Sequence, residues 1–175
     1  IKNIGLLLPN LNATVINFLS CQLAEITPAM LNYSGGTKSV LDACKLAKIT
    51  HVITHPLMVA KMKLEPLIDA LKKEKIQILY LDEIIDHIKS NKLKYAFTSS
   101  IKKSNKKLNE DPKSAHRPAC ILFTSGSEGA PKGVVLSHKN ILSNCTQLSI
   151  CLDGYRQDVL FNSLPLFHAF GLVAG

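Results

Sequence analysis

Short apolar runs alternate with amphipathic stretches along this chain, and that alternation restricts the fold more than any other feature. The runs KNIGLLL (2–8), HVIT (51–54), IQILYL (76–81) and ACILFT (119–124) are largely apolar, as strands buried on both faces must be. Pro9 closes the first, and Pro56 keeps the second from continuing as a central strand. Helical spacing separates them. Asn12 is placed to cap residues 13–26, with Val15, Ile16, Leu19 and Leu23 on one face. Thr37 or Ser39 is placed to cap a second helix whose Val40, Leu41, Cys44 and Ala47 point inward. Lys61–Lys75 reads as a helix that Pro66 starts or kinks, and Asp82 caps another that runs to about Lys92. VVLSH (134–138) and VLFNSLP (159–165) read as strands, KNILSNCTQLSICL (139–152) as a helix, and a last helix begins at HAFGL (168–172). Strands alternating with helices predict an α/β fold: largely parallel sheets flanked by helices.

The pattern is interrupted once. Between Lys89 and Lys113 eight lysines stand against two acids, among Ser, Asn and Thr and without arginine. This divides the chain into a first α/β part (1–94), a polar basic connector (95–118) and a second part (119–175). Much of the formal charge of +8 sits in that connector. A solvated linker accounts for it, and an anionic membrane surface is the alternative it leaves open. A nucleic-acid partner is not expected, because nothing else in the sequence forms a phosphate-backbone track. No run reaches the roughly 18 apolar residues a membrane span requires. Five cysteines with no CxxC pair predict free thiols in a reducing, cytoplasmic compartment and no metal site. The chain opens on a strand-like run and ends in apolar FGLVAG, so it reads as a piece of something longer.

The stretch FTSGSEGAPKGVV (123–135) breaks the packing pattern differently, with three hydroxyls, three glycines, one proline and one lysine. Ordering glycines is entropically costly, so the loop is either a plain surface turn or a place where backbone must approach a ligand. It is not a P-loop that runs into a helix. Gly133 and the β-branched Val134 and Val135 follow Lys132, which predicts strand–loop–strand. Consecutive amides around Gly126, Gly129 and Gly133 can still form an anion-binding nest. Thr124, Ser125 and Ser127 add hydroxyl donors, and Lys132 adds a full charge.

TSGSEGAPKGVVLSH (124–138) closely resembles the signature loop of the adenylate-forming enzymes, which include acyl-CoA synthetases, luciferases and nonribosomal-peptide adenylation domains. NSLPLFHAFGL (162–172) resembles a second motif of that family, an aromatic–His pair before a glycine. The first half, IGLLLPN…FLSCQLAEITPAMLNYSGG, resembles the family's early region, so the likeness runs through nearly the whole chain. Glu128, the wording PAMLN and the run ILFTSGSEG look like a subgroup, the acyl-acyl-carrier-protein synthetase portions of bifunctional 2-acylglycerophosphoethanolamine acyltransferases.

The resemblance implies a fragment of a large N-terminal domain that activates a fatty acid with ATP and Mg²⁺. An acyl-adenylate would form first, then a thioester on acyl carrier protein or CoA, in phospholipid and fatty-acid metabolism. By analogy Thr124, Ser125, Gly126, Ser127, Gly129 and Lys132 hold the β- and γ-phosphates, with Pro131 fixing the loop's bend and Gly133 giving it room. Glu128 belongs to the same cofactor-binding set, with its role open: a carboxylate among phosphate donors repels the ligand unless it turns outward, pairs with lysine or meets a metal. His168 is the catalytic candidate beside the acyl substrate, with Phe167 as a pocket wall; taken alone, it also fits a structural histidine at a helix start. The metal-binding acid, the ribose-binding aspartate and the C-terminal-domain lysine of the family are expected beyond Gly175, so the fragment itself is predicted inactive. Two further expectations follow: peripheral association of the longer protein with the inner face of the membrane, and, as the alternative to an enzyme, a non-catalytic nucleotide-binding or interaction module of the same descent.

Overall fold

A computed structural model describes residues 1–92, 94–95, 112–125, 131–152, 157, 159 and 161–174. Four short strands and five helices alternate through the first half. They are β1 (Asn3–Leu6), α1 (Asn12–Leu23), β2 (Thr27–Met30), α2 (Gly36–Leu46), β3 (His51–Thr54), α3 (Pro56–Lys61), α4 (Glu65–Lys73), β4 (Gln77–Tyr80) and α5 (Leu81–Ser90). The second half adds β5 (Pro118–Ser125), β6 (Pro131–Ser137), α6 (His138–Cys151) and α7 (Ala169–Ala174). One sheet collects all six strands in the order β4-β3-β1-β2-β5-β6. Five are parallel, and β6 closes one edge antiparallel to β5. Both parts on either side of the connector therefore contribute strands to the same sheet.

The pleat explains why the strands read as unbroken apolar runs. Leu7, Ala29, Val52 and Ile121 face a core with α2 and α4, built on Val40, Cys44, Leu67 and Leu71. Ile4, Leu6, Met30, Cys120 and Leu122 face the opposite core, which receives Cys21 of α1, Leu81 of α5 and Phe167. With helices on both faces, alternate side chains of each central strand are all buried. Gly5 is required at the centre of β1: a Cβ there would lie 2.8 Å from Leu31 Cδ1 and 3.0 Å from Val52 Cγ2.

Several local expectations change. The α1 face read as buried is the exposed one, since Val15, Ile16, Leu19 and Leu23 lie open while Thr14 and Cys21 are buried. Polar and apolar residues are interspersed around this helix, so polar bonds help set its rotation: Thr14 Oγ1 donates to the Pro9 carbonyl at 2.5 Å and Gln22 Nε2 to that of Ala119 at 2.9 Å. Asn12, Thr37, Ser39 and Asp82 are not caps; the cap positions are Leu11, Gly35 and Tyr80, none with a side-chain cap bond. Lys61–Lys75 holds one helix, α4, which begins only at Glu65, since Lys61 is the last residue of α3; Pro66 starts α4 in its first turn, where a missing N–H costs nothing. The described residues of 159–165 form no strand. Asn162 explains this locally: its side chain accepts from the Leu164 amide at 3.2 Å and donates to the Gly171 carbonyl at 3.1 Å, bonds that compete with a ladder.

Four helices end on a non-glycine residue in the left-handed region: Glu25, Lys48, Lys63 and Lys75, with φ of 57°, 51°, 54° and 60°. Each is followed by Ile or Leu whose amide closes on the carbonyl five residues back, as Ile49 does on Cys44 at 2.9 Å. The apolar residue then packs against the core and leads into the next strand or helix.

Candidate active site at the carboxyl edge of the sheet

The glycine loop is carried by a β-hairpin, as its β-branched continuation predicts. β5 and β6 pair from Pro118↔Ser137 to Ser125↔Pro131. Thr124 stands directly opposite Lys132, so the two side chains leave one face of the hairpin roughly 5 Å apart at Cβ. Both are exposed. Lys132 makes no ion pair among the described residues, which leaves its charge available to an anion. Ser125 pairs with Pro131 through the backbone; its side chain, and Gly126, Ser127, Glu128 and Gly129, lie outside the described residues. The room at Gly133 has a clear neighbour: an added Cβ would meet Leu46 Cδ2 of α2 at 3.2 Å, so the glycine lets that helix close against the hairpin.

The second motif reaches the same edge of the sheet. Asn10, just beyond β1, holds it by three bonds: Nδ2 donates to the carbonyls of Leu164 at 2.7 Å and Asn162 at 3.4 Å, and Oδ1 accepts from the Leu166 amide at 3.0 Å. Phe167 is buried and meets Tyr33, just beyond β2, edge to face with centroids 5.1 Å apart. Its ring thus anchors the segment in the core. His168 follows at the exposed start of α7, its ring 4.7 Å from that of Phe167, and its imidazole has no hydrogen-bond partner among the described residues. Its amide donates to the Pro165 carbonyl at 3.0 Å and its carbonyl accepts from Leu172 at 2.9 Å, so the backbone is fixed while the imidazole is open. Gly171 is obligatory here: a Cβ would collide with the backbone carbonyls of Pro165 and Leu164.

The carboxyl ends of β1, β2 and β5, adjacent in the sheet, thus bear Asn10, Tyr33 and Thr124 in turn. Open α/β sheets bind ligands in the crevice at this edge. Beside the second motif, Thr14, Val15, Phe18, Met30, Ile141 and Leu166 line an apolar recess of about 200 Å³. Sequence reading missed Asn10 and the reason for Gly171; neither has a local signature, because each acts on backbone more than a hundred or several residues away.

Hydroxyl and ammonium groups on one hairpin face suit the terminal phosphates of a nucleotide. For a divalent cation, no cluster of three His, Cys, Asp or Glu side chains exists among the described residues. Burial raises the Tyr33 phenol, and it pushes the thiol of Cys120, nearer the amino end of β5, up to about 12.

Comparison with known proteins identifies the family and the fold. A family profile described as AMP-binding enzyme matches residues 2–175. The medium-chain fatty-acid–CoA ligase of Escherichia coli is 47% identical over 57 residues, 33% of this chain and 10% of that protein. The 4-hydroxyphenylalkanoate adenylyltransferase of Mycobacterium tuberculosis is 44% identical over 70 residues, 37% of this chain and 11% of its own. Among solved structures, o-succinylbenzoate CoA synthetase from Bacillus subtilis with its acyl-adenylate superimposes with a TM-score of 0.72 at 21% identity. That match takes in 99% of this chain and 39% of the synthetase, and the same enzyme has been solved with ATP and magnesium. The chain thus spans well under half the length of the proteins it matches.

Proposed function

Because the chain belongs to the AMP-binding enzyme family, we propose that it is part of an ATP-dependent ligase that activates a fatty acid and passes it to a thiol. The observation that carries this reading is the cross-strand pair Thr124–Lys132 at the carboxyl edge, with the glycine loop between them. An anionic carboxylate must attack a polyanion in this reaction, so positive charge and donors held in place supply the main stabilisation. Lys132 neutralises the β- and γ-phosphates and the Thr124 hydroxyl orients them. Loop amides around Gly126 and Gly129, with the hydroxyls of Ser125 and Ser127, complete the cradle.

His168 is assigned to the acyl side of the reaction. Its backbone is pinned through Pro165 and Leu172, and its exposed ring lies 4.7 Å from that of Phe167. The apolar recess between α1 and the Leu166 segment supports a hydrocarbon chain over a polar acid. Mg²⁺ would supply charge neutralisation at the phosphates, with its carboxylate ligands outside these residues. Acyl carrier protein is proposed as the thiol acceptor in preference to CoA, and a cytoplasmic role in phospholipid metabolism follows; the wording PAMLN and ILFTSGSEG supports both. Residues 1–175 alone are proposed to be inactive.

Fatty-acid-dependent ATP–pyrophosphate exchange by the longer protein tests the assignment. Lys132→Ala lowers exchange by at least a hundredfold if the hairpin grips the phosphates. Unchanged exchange would leave the hairpin without a catalytic part, and absence of exchange in the wild type would favour a non-catalytic binding module.

A further inference from the structure

One side chain ties the first part of the chain to the segment that carries His168. Asn10 stands between β1 and α1, and its partners, the carbonyls of Asn162 and Leu164 and the amide of Leu166, lie 152, 154 and 156 residues further along. A carboxamide offers donor and acceptor side by side, which a carboxylate does not, and here it spends three bonds on main chain. Asn10 is itself held from behind, since the buried Thr14 hydroxyl donates to the carbonyl of Pro9 at 2.5 Å. From the other side Gly171 lies against the carbonyls of Leu164 and Pro165.

Stability does not explain these bonds. Asn10 and Leu164 are exposed, and there water satisfies main-chain groups nearly as well. What three fixed bonds add, and hydrating water does not, is position. Leu166 borders the apolar recess, and Phe167 and His168 follow it directly. The recess takes Val15 and Phe18 from α1, which begins two residues after Asn10. Asn10 therefore joins both walls of the recess to the backbone that presents the imidazole.

We propose that Asn10 is a positioning residue for the acyl side of the site, its carboxamide setting residues 162–168 and so the place of His168 beside the recess. It touches main chain and acts through His168. The role takes its chemistry from the ligase reading above and its geometry from the bonds of Asn10. Asn10→Asp makes the clamp titratable. An ionised carboxylate still accepts from the Leu166 amide but repels the Leu164 carbonyl, whereas a protonated one donates to that carbonyl and restores the clamp. Bonding to the neutral form shifts the titration of that carboxyl upward, so function returns as pH falls.

The test has two arms. In the longer protein, fatty-acid-dependent ATP–pyrophosphate exchange is compared among the wild type, Asn10→Ala, Asn10→Asp and a control, Asn17→Ala, whose side chain donates to the Ala13 carbonyl within α1. Asn10→Ala should lower kcat/KM for the fatty acid about a hundredfold, the scale of an ångström's misplacement, while KM for ATP and thermal unfolding hardly change. Asn10→Asp should match that loss at about pH 8 and recover about tenfold relative to the wild type by about pH 5.5. Asn17→Ala should behave as the wild type. The second arm needs no turnover: in the full chain, Asn10→Ala should move the His168 ring and Leu166 amide resonances and leave the amides of Thr124 and Lys132 in place. An inactive wild type would refute the ligase reading, and the His168 ring would still decide, a shift supporting the positioning role and no shift overturning it. With an active wild type, Asn10→Ala exchange at the wild-type rate, an equal rise in KM for ATP, or no recovery of Asn10→Asp at low pH would each overturn the proposal.

Discussion

The edge of one ring meets the face of the other where Tyr33 packs on Phe167, their planes 84° apart. Through that contact the loop after β2 holds the segment that carries His168. Phe167→Ala removes the anchor and opens a cavity between the sheet and α7, which should cost about 3–5 kcal/mol in chemical denaturation. Phe167→Leu should cost markedly less and keep exchange activity in the longer protein. Equal losses in the two variants would mean the ring does not set the segment's position.

Gly171→Ala drives a methyl group into the Pro165 and Leu164 carbonyls. Backbone cannot yield as a side chain can, so the segment from Asn162 to His168 must shift. Stability should fall by about 1–3 kcal/mol, as for overpacking elsewhere. The amide resonances of Leu164 and Leu166, bonded to Asn162 and Asn10, should move most. Shifts confined to α7 would contradict the assignment.

Thr54 is fully buried at the end of β3, and its Oγ1 finds no hydrogen-bond partner among the described residues. Replacing that hydroxyl by a methyl keeps the shape and removes an unsatisfied group. Thr54→Val should therefore stabilise the chain by about 1 kcal/mol. Lys63→Gly should stabilise by a similar amount, because it relieves a left-handed conformation at φ 54° between α3 and α4. Thermal melts of the two single variants and the double check both, and the effects should add because the sites share no partner.

Burial pushes the thiols of Cys21 and Cys44 up to about 11 and about 12, as it does Cys120. The folded state thus favours the protonated thiol. Its contribution is fully present below the unfolded value near pH 9 and is lost as pH rises toward 11–12. Denaturation midpoints should fall steeply across that alkaline window. At pH 8 a thiol reagent should label exposed Cys145 and Cys151 quickly, and the three buried cysteines only as the chain unfolds.

Where sequence was a good guide, the reason is local. Val134 and Val135 could not continue a helix from Lys132, so the hairpin was readable, and Pro66 could only begin a helix turn. The parallel sheet was readable because Leu6, Leu7 and Leu8 need apolar cover on both sides. Where it failed, the deciding bond was distant or the signal two-sided. α1 has apolar and polar residues interspersed around it, and Gln22 reaching Ala119 helped choose which side turned inward. VLFNSLP has the composition of a strand, yet Asn162 spends its side chain on Gly171. Asn10 looks like an ordinary loop residue until the chain brings Leu164 and Leu166 to it.

The most direct test of the phosphate-binding hairpin is to follow backbone amide resonances of the full chain while ATP, and separately AMP, is added. The account predicts that ATP shifts the amides from Thr124 to Lys132, above all Gly126 and Gly129, and that AMP, which lacks the β- and γ-phosphates, shifts them far less. Equal responses to the two nucleotides, or shifts that leave this hairpin untouched, would contradict it.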